Sequence, residues 1–139
     1  MSYLHLLVAV APTPESHALL KKAVAIARPA NARISLMTLS TDPEMYNQLA
    51  APMMENLREL MQEETQQFLQ SLADSTDYPI WKRQIASGEL CEHVKTFCQK
   101  YQVDLVICGN HNQSFFSRAT CSAKNIVKES GVDVLLVTL

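Results

Sequence analysis

Residues 4–11 read LHLLVAVA, and PTP follows at residues 12–14. A nearly continuous apolar run that prolines close is typical of a strand buried on both faces of a parallel sheet. Thr13 is suited to cap a helix that begins at Pro14, because proline already has helical φ and needs no partner for an N–H group. The stretch predicts a buried first strand that leads directly into a helix.

Apolar residues at helical spacing predict the buried faces of this helix and of three later helices. In the first helix these residues are Leu19, Leu20, Ala23, Val24 and Ala27, and in a long second helix they are Met53, Leu57, Leu60, Met61, Phe68, Leu69 and Leu72. The third helix begins after Ser87 and Gly88, and its buried residues are Leu90, Val94, Phe97, Cys98 and Tyr101. The last helix has Gly131 at its C-terminal cap, and its buried residues are Ala123, Ile126 and Val127.

Further strands are expected at residues 32–39, 78–86, 103–108 and 132–139. Pro79, Lys82 and Arg83 are costly in a central strand, so the strand that contains them is expected at an edge of the sheet. The alternation of strands and helices predicts a single α/β domain over residues 1–139. We expect a doubly wound, Rossmann-like or flavodoxin-like sheet of five mainly parallel strands, in the order 3-2-1-4-5, with helices on both faces.

Bulk composition excludes several classes of function. The chain has 139 residues and a formal net charge of -2, and its Lys and Arg residues are scattered, which gives no general attraction to nucleic acid or to an anionic membrane. No apolar run approaches the roughly 20 residues of a membrane span, and no basic residue precedes the apolar segment near the start. We therefore expect a cytoplasmic protein that binds neither nucleic acid nor membranes.

The four cysteines are interpreted as small buried apolar side chains. Cys91 and Cys98 fall about 10.5 Å apart on one predicted helix, beyond the reach of a disulfide. Cys108 closes a buried strand and Cys121 lies in the next helix. Since no CxxC motif and no Cys/His pair has zinc-ligand spacing, no metal site is predicted.

The segment GNHNQSFFSRATCSAK at residues 109–124 follows the fourth strand. In parallel α/β proteins this junction commonly holds a phosphate, which requires glycine where the backbone must approach the ligand closely. Only Gly109 meets that requirement here. This loop and the loop after the first strand lie where the strand order reverses, so both are candidate ligand-binding segments.

Three blocks of the sequence resemble the universal stress protein family: VAVAPTPES at residues 8–16, GEL at 88–90 and CGNHNQSFFSRATCSAK at 108–124. The resemblance covers the whole chain. Together with DPEMYNQLAAPM at 42–53, the last block is similar to one enterobacterial paralogue of the UspA-like class. The resemblance implies a role in the stress response.

The resemblance also implies a nucleotide site that has lost its ligand contacts. Family members that bind ATP carry an aspartate after strand one and a G-x2-G-x9-G-[ST] loop after strand four. The degenerate site here consists of Ala11, Gly109, Asn112, Thr120, Cys121 and Ser122. Ala11 stands at the aspartate position, Asn112 replaces the second glycine, and no glycine stands near the third position.

Each of these departures acts against phosphate binding. A Cβ at a position that needs positive φ or close backbone approach costs about 1 kcal/mol or more and obstructs the ligand. We therefore expect no ATP and no other cofactor in this protein.

Other side chains of the same loop are candidates for contacts with a partner or a small anion: His111, Phe115, Phe116 and Arg118. We interpret His111 as a loop side chain that stabilises the turn, because it has no nucleophile, carboxylate partner or metal-ligand spacing beside it. Phe115 and Phe116 are expected to pack the loop, with an exposed patch for a partner as the alternative. His5 and His17 are placed at a strand surface and a helix surface without a role. No catalytic residue is predicted.

The last strand carries the predicted dimer interface. It is expected at a sheet edge, where unpaired backbone groups attract another strand. Family members dimerise through this strand, so the resemblance implies a homodimer with Val132, Val134 and Leu136 at the interface. The same expectation extends to heterodimers with paralogues.

Three hypotheses follow for the function. The first is a non-enzymatic, cytoplasmic stress protein that acts through contacts with regulatory proteins during stress or growth arrest. The second is an ATP-binding or weakly ATP-hydrolysing switch like the glycine-rich family members. The third is a flavodoxin-like electron carrier.

Overall fold

The computed structural model describes residues 3–10, 15–39, 54–86, 90–109 and 131–137. In chain order, the strands and helices are β1 (His5–Ala9), α1 (Glu15–Ala30), β2 (Arg33–Leu39), α2 (Met54–Asp74), β3 (Ile80–Ala86), α3 (Leu90–Tyr101), β4 (Leu105–Gly109) and β5 (Asp133–Val137). The predicted helix with Ala123, Ile126 and Val127 lies outside the described residues.

The five described strands form one parallel sheet in the order β3-β2-β1-β4-β5. Helices α1 and α2 pack against one face of the sheet, and α3 packs against the other. The predicted doubly wound α/β fold and its strand order are confirmed, and β3 lies at an edge as its charged and proline residues indicated.

Strand β1 is buried on both faces, which explains why its sequence does not alternate between apolar and polar residues. Leu6 and Val8 belong to the core beneath α1 and α2, whereas Leu7 belongs to the core beneath α3. Because successive side chains of a strand point to opposite faces, a two-sided core requires apolar residues at every position. The prediction from LHLLVAVA is confirmed for His5–Ala9 and for the burial of Val10, but Leu4 lies before the strand and is 69% exposed, and Ala11 lies outside the described residues.

Helices α1 and α3 both end with a residue in the left-handed conformation, Asn31 at φ 54° and Gln102 at φ 56°. The next N–H group in each case bonds back to the last turn, from Ala32 to the Ala27 carbonyl at 3.0 Å and from Val103 to the Cys98 carbonyl at 3.1 Å. These bonds are those of a Schellman cap, which satisfies carbonyls at the helix end. Each cap turns the chain directly into the strand that follows.

The described side chains on the predicted buried faces fall into the core with one exception. On α1 all five predicted residues are buried, and on α3 Val94, Phe97 and Cys98 are buried. On α2, Leu69 and Leu72 are buried, but Leu60 is 54% exposed, so that prediction is wrong. A helix of 21 residues is about 31 Å long, whereas the seven-residue strands it covers are about 23 Å long. The first part of α2 therefore extends beyond the sheet.

Candidate functional site

The strand order reverses between β1 and β4, which lie side by side and connect to opposite halves of the sheet. In doubly wound folds, ligands bind outside the carboxyl ends of the strands at this point. Gly109 is the last residue of β4 and is buried there. Val10 follows β1 and donates its N–H to the Met37 carbonyl at 2.8 Å. The strand-order reversal that places ligands in such folds is thus present.

Only Gly109 among the predicted site residues lies in the described part of this edge. The others lie outside the described residues: Ala11, Asn112, Thr120, Cys121 and Ser122 of the degenerate site, and His111, Phe115, Phe116 and Arg118. Among the described strand ends, Val10, Met37 and Ala86 carry buried apolar side chains, and Thr38 of β2 carries a buried hydroxyl that has no hydrogen-bond partner within the described residues. They supply no charged group that would bind a phosphate.

Two cysteines are free and buried, Cys98 on α3 and Cys108 on β4. Burial raises the pKa of the Cys98 thiol to about 12 and that of Cys108 to about 11. Both groups are therefore neutral thiols at physiological pH and are poor nucleophiles. The interpretation as small apolar side chains is confirmed for these two, while the side chains of Cys91 and Cys121 lie outside the described part. Within that part, no three His, Cys, Asp or Glu side chains converge as metal ligands.

His5 is buried, with only 3% of its surface exposed, so its expected place at a strand surface is wrong. Its Nδ1 lies 3.0 Å from the Tyr101 carbonyl oxygen, and its Nε2 lies 2.7 Å from Ser35 Oγ. A carbonyl oxygen only accepts hydrogen bonds, so Nδ1 carries the hydrogen. In the neutral ring Nε2 then accepts from the Ser35 hydroxyl. The imidazole joins β1, β2 and the end of α3.

Burial lowers the pKa of His5. The hydrogen bond to the Tyr101 carbonyl raises it, the Arg33 charge lowers it, and the Asp104 carboxylate raises it. That carboxylate accepts the backbone N–H groups of Leu4 at 2.8 Å and His5 at 3.0 Å, which fixes it beside the strand. Since both ring nitrogens are engaged and water is excluded, His5 is a structural group and not a general base.

A signal for this burial was present in the sequence. His5 stands two residues before Leu7, so period-two alternation places both side chains on the same face of β1. Leu7 and the aromatic residues of α3 occupy that face. A histidine in phase with buried residues of a central strand requires partners for its two nitrogens, which the sequence pattern alone does not identify.

Strand β3 contains a bulge at Trp81. Ile80 pairs with Ile34, but Lys82 pairs with Ser35, so Trp81 is the extra residue. The irregularity brings two consecutive side chains to the same tyrosine. The Trp81 ring lies 5.4 Å from the Tyr101 ring, and Lys82 Nζ lies 2.6 Å from the Tyr101 hydroxyl. In a regular strand these two side chains point to opposite faces.

Four rings form a cluster at the amino ends of the strands. The His5 and Trp81 rings are 5.1 Å apart at 88°, and the Phe97 and Tyr101 rings are 4.6 Å apart at 51°. The His5–Trp81 contact is edge-to-face, which is favourable because the positive edge of one ring meets the negative face of the other, and the Phe97–Tyr101 pair is tilted. The cluster ties β1, β3 and α3 together, and it leaves Trp81 44% exposed.

Three cations surround the exposed side of this cluster. The Arg33 guanidinium lies 4.9 Å from the centre of the Trp81 ring, and Lys82 Nζ and Lys100 Nζ lie 4.3 Å and 5.4 Å from the centre of the Tyr101 ring. The hydrogen bond from Lys82 is the main cause that lowers the pKa of Tyr101. We call these five side chains, Arg33, Trp81, Lys82, Lys100 and Tyr101, the amino-edge surface.

At the opposite edge, β5 carries the residues predicted for the dimer interface. Val132 and Val134 are half-buried and pack against the core beneath α3, whereas Leu136 is 53% exposed. The Tyr3 hydroxyl bonds to the Asp133 carboxylate at 2.8 Å. The edge position of β5 is confirmed, while the role of the three residues in a dimer stays a prediction.

None of the described helices is both long and apolar enough to cross a membrane. The longest, α2, has 21 residues, but charged and amide side chains are spread along it.

Sequence comparison gives a relationship along nearly the whole chain. The profile of the universal stress protein family matches residues 2–138. Universal stress protein C of Salmonella typhimurium is 66% identical over 139 residues, which is 100% of this chain and 98% of that relative. The resemblance to the family, and to an enterobacterial paralogue within it, is confirmed.

Solved structures with the same fold are more distant in sequence. Universal stress protein UspA from Lactobacillus plantarum has a TM-score of 0.70 at 19% identity, and the match covers 99% of this chain and 99% of that one. A universal stress protein in complex with cAMP has a TM-score of 0.62 at 19% identity, covering 99% of this chain and 98% of that one. At such identity the likeness concerns the fold alone.

Replacing His5 with Gln is expected to lower the free energy of unfolding by about 1 to 3 kcal/mol near neutral pH, because a buried hydrogen-bonding group loses a partner. The substitution also removes a pH dependence. The pKa of His5 is lowered in the folded protein, so its contribution to stability is present above pH about 6.5 and is lost as the pH falls below that value. Urea unfolding at several pH values measures both effects.

The matched control is His17→Gln, which changes an exposed histidine on α1. It is expected to leave the neutral-pH stability within about 0.5 kcal/mol of the wild type. Equal losses of stability in acid for the wild type and His5→Gln would show that His5 is not held neutral.

Proposed function

The chain belongs to the universal stress protein family, and on this premise we propose that it is a cytoplasmic stress-response protein that acts through contacts with regulatory proteins and not by catalysis. The observation that carries the proposal is the whole-chain identity of 66% with universal stress protein C. Two further sets of observations support it, one on the reactivity of described thiol and imidazole groups and one on the sequence of the nucleotide loop.

Three described residues with catalytic chemistry are held in unreactive states. The buried thiols of Cys98 and Cys108 have raised pKa values, and the His5 imidazole uses both nitrogens in buried hydrogen bonds. A nucleophile requires an accessible, activated atom and a base within hydrogen-bond reach. These groups supply neither, which agrees with a protein whose work is binding.

The sequence at the strand-order reversal argues against a bound triphosphate. Ala11 offers no carboxylate, and Asn112 carries a Cβ where ATP-binding members have glycine. Side chains at these positions obstruct the close backbone approach that a polyphosphate needs. Gly109 at the end of β4 is the part of the phosphate loop that remains.

The second candidate function is an ATP-binding or weakly hydrolysing switch. One observation favours it: a solved protein with the same fold was obtained in complex with cAMP, and this chain has the same strand-order reversal, between β1 and β4, that places ligands in such folds. The binding of cAMP is a property of that protein, and its likeness to this chain at 19% identity extends only to the fold.

Nucleotide binding separates the two candidates. Protein purified without added ligand is expected to release no stoichiometric adenine nucleotide in mass spectrometry, and calorimetric titration with ATP is expected to show no micromolar binding. A variant with Ala11→Asp and Asn112→Gly tests the physical reason and should bind ATP more tightly than the wild type. Stoichiometric nucleotide in the wild type would reject the proposal in favour of the switch. Specific capture of proteins from stressed but not growing cells is the positive readout.

A homodimer through β5 is part of the proposal. The free edge of this strand offers unpaired backbone groups, and Leu136 extends from it with 53% of its surface exposed. An isologous pair of edges would satisfy these groups across a two-fold axis and cover Val132, Val134 and Leu136. Paralogues with a similar edge would form heterodimers in the same way.

Leu136→Glu is expected to weaken the dimer at least about a hundredfold, because a two-fold interface then buries two charges. Analytical ultracentrifugation across a concentration series measures the dissociation constant. The matched control is Leu60→Glu, which places the same charge on an equally exposed leucine of α2. A monomeric wild type, or equal weakening by both substitutions, would contradict the assignment of β5.

A further inference from the structure

We propose that the amino-edge surface binds an acidic segment of a partner protein, with the single tryptophan as its apolar anchor. The inference rests on the proposed function of acting through protein contacts, and it adds the location and the chemistry of one such contact. The surface lies at the opposite end of the sheet from Gly109, the residue at which the degenerate nucleotide loop begins. It is therefore independent of whether that loop holds a ligand.

The bulge in β3 is the first observation behind the proposal. An extra residue at Trp81 interrupts the pairing with β2, which leaves a backbone group without its ladder partner. The result is that Trp81 stands beside Lys82 over the Tyr101 ring with 44% of its surface exposed. Without the extra residue, Trp81 would pair with Ser35, and Lys82 would pair with Leu36 on the opposite face of the sheet, away from Trp81 and Tyr101. The local irregularity thus presents an aromatic ring to solvent.

The second observation is charge. Arg33, Lys82 and Lys100 lie around the two rings, and within the described ranges none of them has a carboxylate partner at ion-pair distance. The nearby Asp104 carboxylate already accepts two backbone N–H groups. A protein with a formal net charge of -2 therefore carries a local cluster of three cations that forms no ion pair within the described residues.

The third observation is rigidity. Trp81 packs edge-to-face on the buried His5 ring, and Tyr101 is held by Phe97 beneath it and by the hydrogen bond from Lys82. Aromatic side chains that are already fixed lose little conformational entropy on binding, which favours affinity. Trp, Tyr and Arg are also the residues that contribute most to protein interfaces.

These features select an acidic protein segment over other partners. Carboxylates of such a segment would pair with the guanidinium and the two ammonium groups, and an apolar side chain would cover the exposed tryptophan face. A nucleic acid would need a longer basic track, since phosphates repeat along the whole strand and the overall negative charge opposes it. Nucleic acid is accordingly the competing occupant in the test.

The single tryptophan gives the test a built-in probe, because its fluorescence reports on this surface and on no other. The probe ligand is a synthetic peptide of about ten glutamates with one central leucine; the same peptide with glutamine at every glutamate and a deoxythymidine oligonucleotide of equal length serve as comparisons. We expect the acidic peptide to change the fluorescence saturably, with an affinity that falls as salt rises. The glutamine peptide should give no saturable change.

A pair of charge-matched variants locates the site. Arg33→Gln with Lys82→Gln removes two cations of the surface while keeping Trp81 and Tyr101, and Lys21→Gln with Lys22→Gln removes two exposed cations from α1. The first pair is expected to weaken the acidic peptide about tenfold or more, equivalent to about 1.4 kcal/mol, and the second pair to change it less than about twofold. Urea unfolding of both pairs checks that each variant is folded.

Three results would overturn the inference: no saturable binding of the acidic peptide, equal weakening by both pairs of substitutions, or tighter binding of the oligonucleotide. Each of them leaves the proposed function standing if stress-dependent protein capture and the absence of nucleotide are observed. Stoichiometric bound nucleotide would instead reject the proposed function without changing the peptide titration.

Discussion

The hydrogen bonds of the His5 imidazole are the constraint on which the amino end of the sheet depends. This residue begins a strand that is buried on both faces, so water is not available to its ring nitrogens. A buried polar group without a partner costs about 1 to 3 kcal/mol. The Tyr101 carbonyl and the Ser35 hydroxyl meet this requirement, and for the neutral ring they require the hydrogen on Nδ1. The end of α3 and the start of β2 are fixed by the same ring.

The two ends of the sheet consequently have different chemistry. At the carboxyl end, Val10, Met37 and Ala86 are apolar and Thr38 has a buried hydroxyl, and the sequence carries Ala11 and Asn112 where we expect ATP-binding family members to have aspartate and glycine. At the amino end, the His5 ring supports Trp81, and the bulge in β3 turns this tryptophan and Lys82 toward Tyr101. We propose that a fold commonly used to bind a small ligand at one edge binds a protein at the other. We infer that this family member works by protein–protein contacts and not by nucleotide binding.

Much of the fold follows from local sequence pattern, and the errors have identifiable causes. The two-sided burial of β1 and the stripe of α1 are predicted because period and composition are local properties. Leu60 was misplaced because its pattern shows an apolar face but not how far the sheet beneath it extends. The burial of His5 and the bulge at Trp81 depend on residues about 30 to 100 positions away, which no window of sequence contains. The residues of the amino-edge surface were therefore not predicted, whereas the nucleotide loop was recognised from its spacing and its resemblance to a family.

Nitrogen-15 NMR of the histidine side chains, with the His5 signals assigned by their loss in His5→Gln, tests this organisation most directly. We expect His5 to be neutral, with its hydrogen on Nδ1, and to remain so as the pH falls below about 6.5, the ordinary pKa of histidine. Long-range coupling between the ring and Ser35 or Tyr101 should disappear only on unfolding. A hydrogen on Nε2, or protonation of the ring at or above the ordinary pKa, would contradict the buried network and remove the support beneath Trp81.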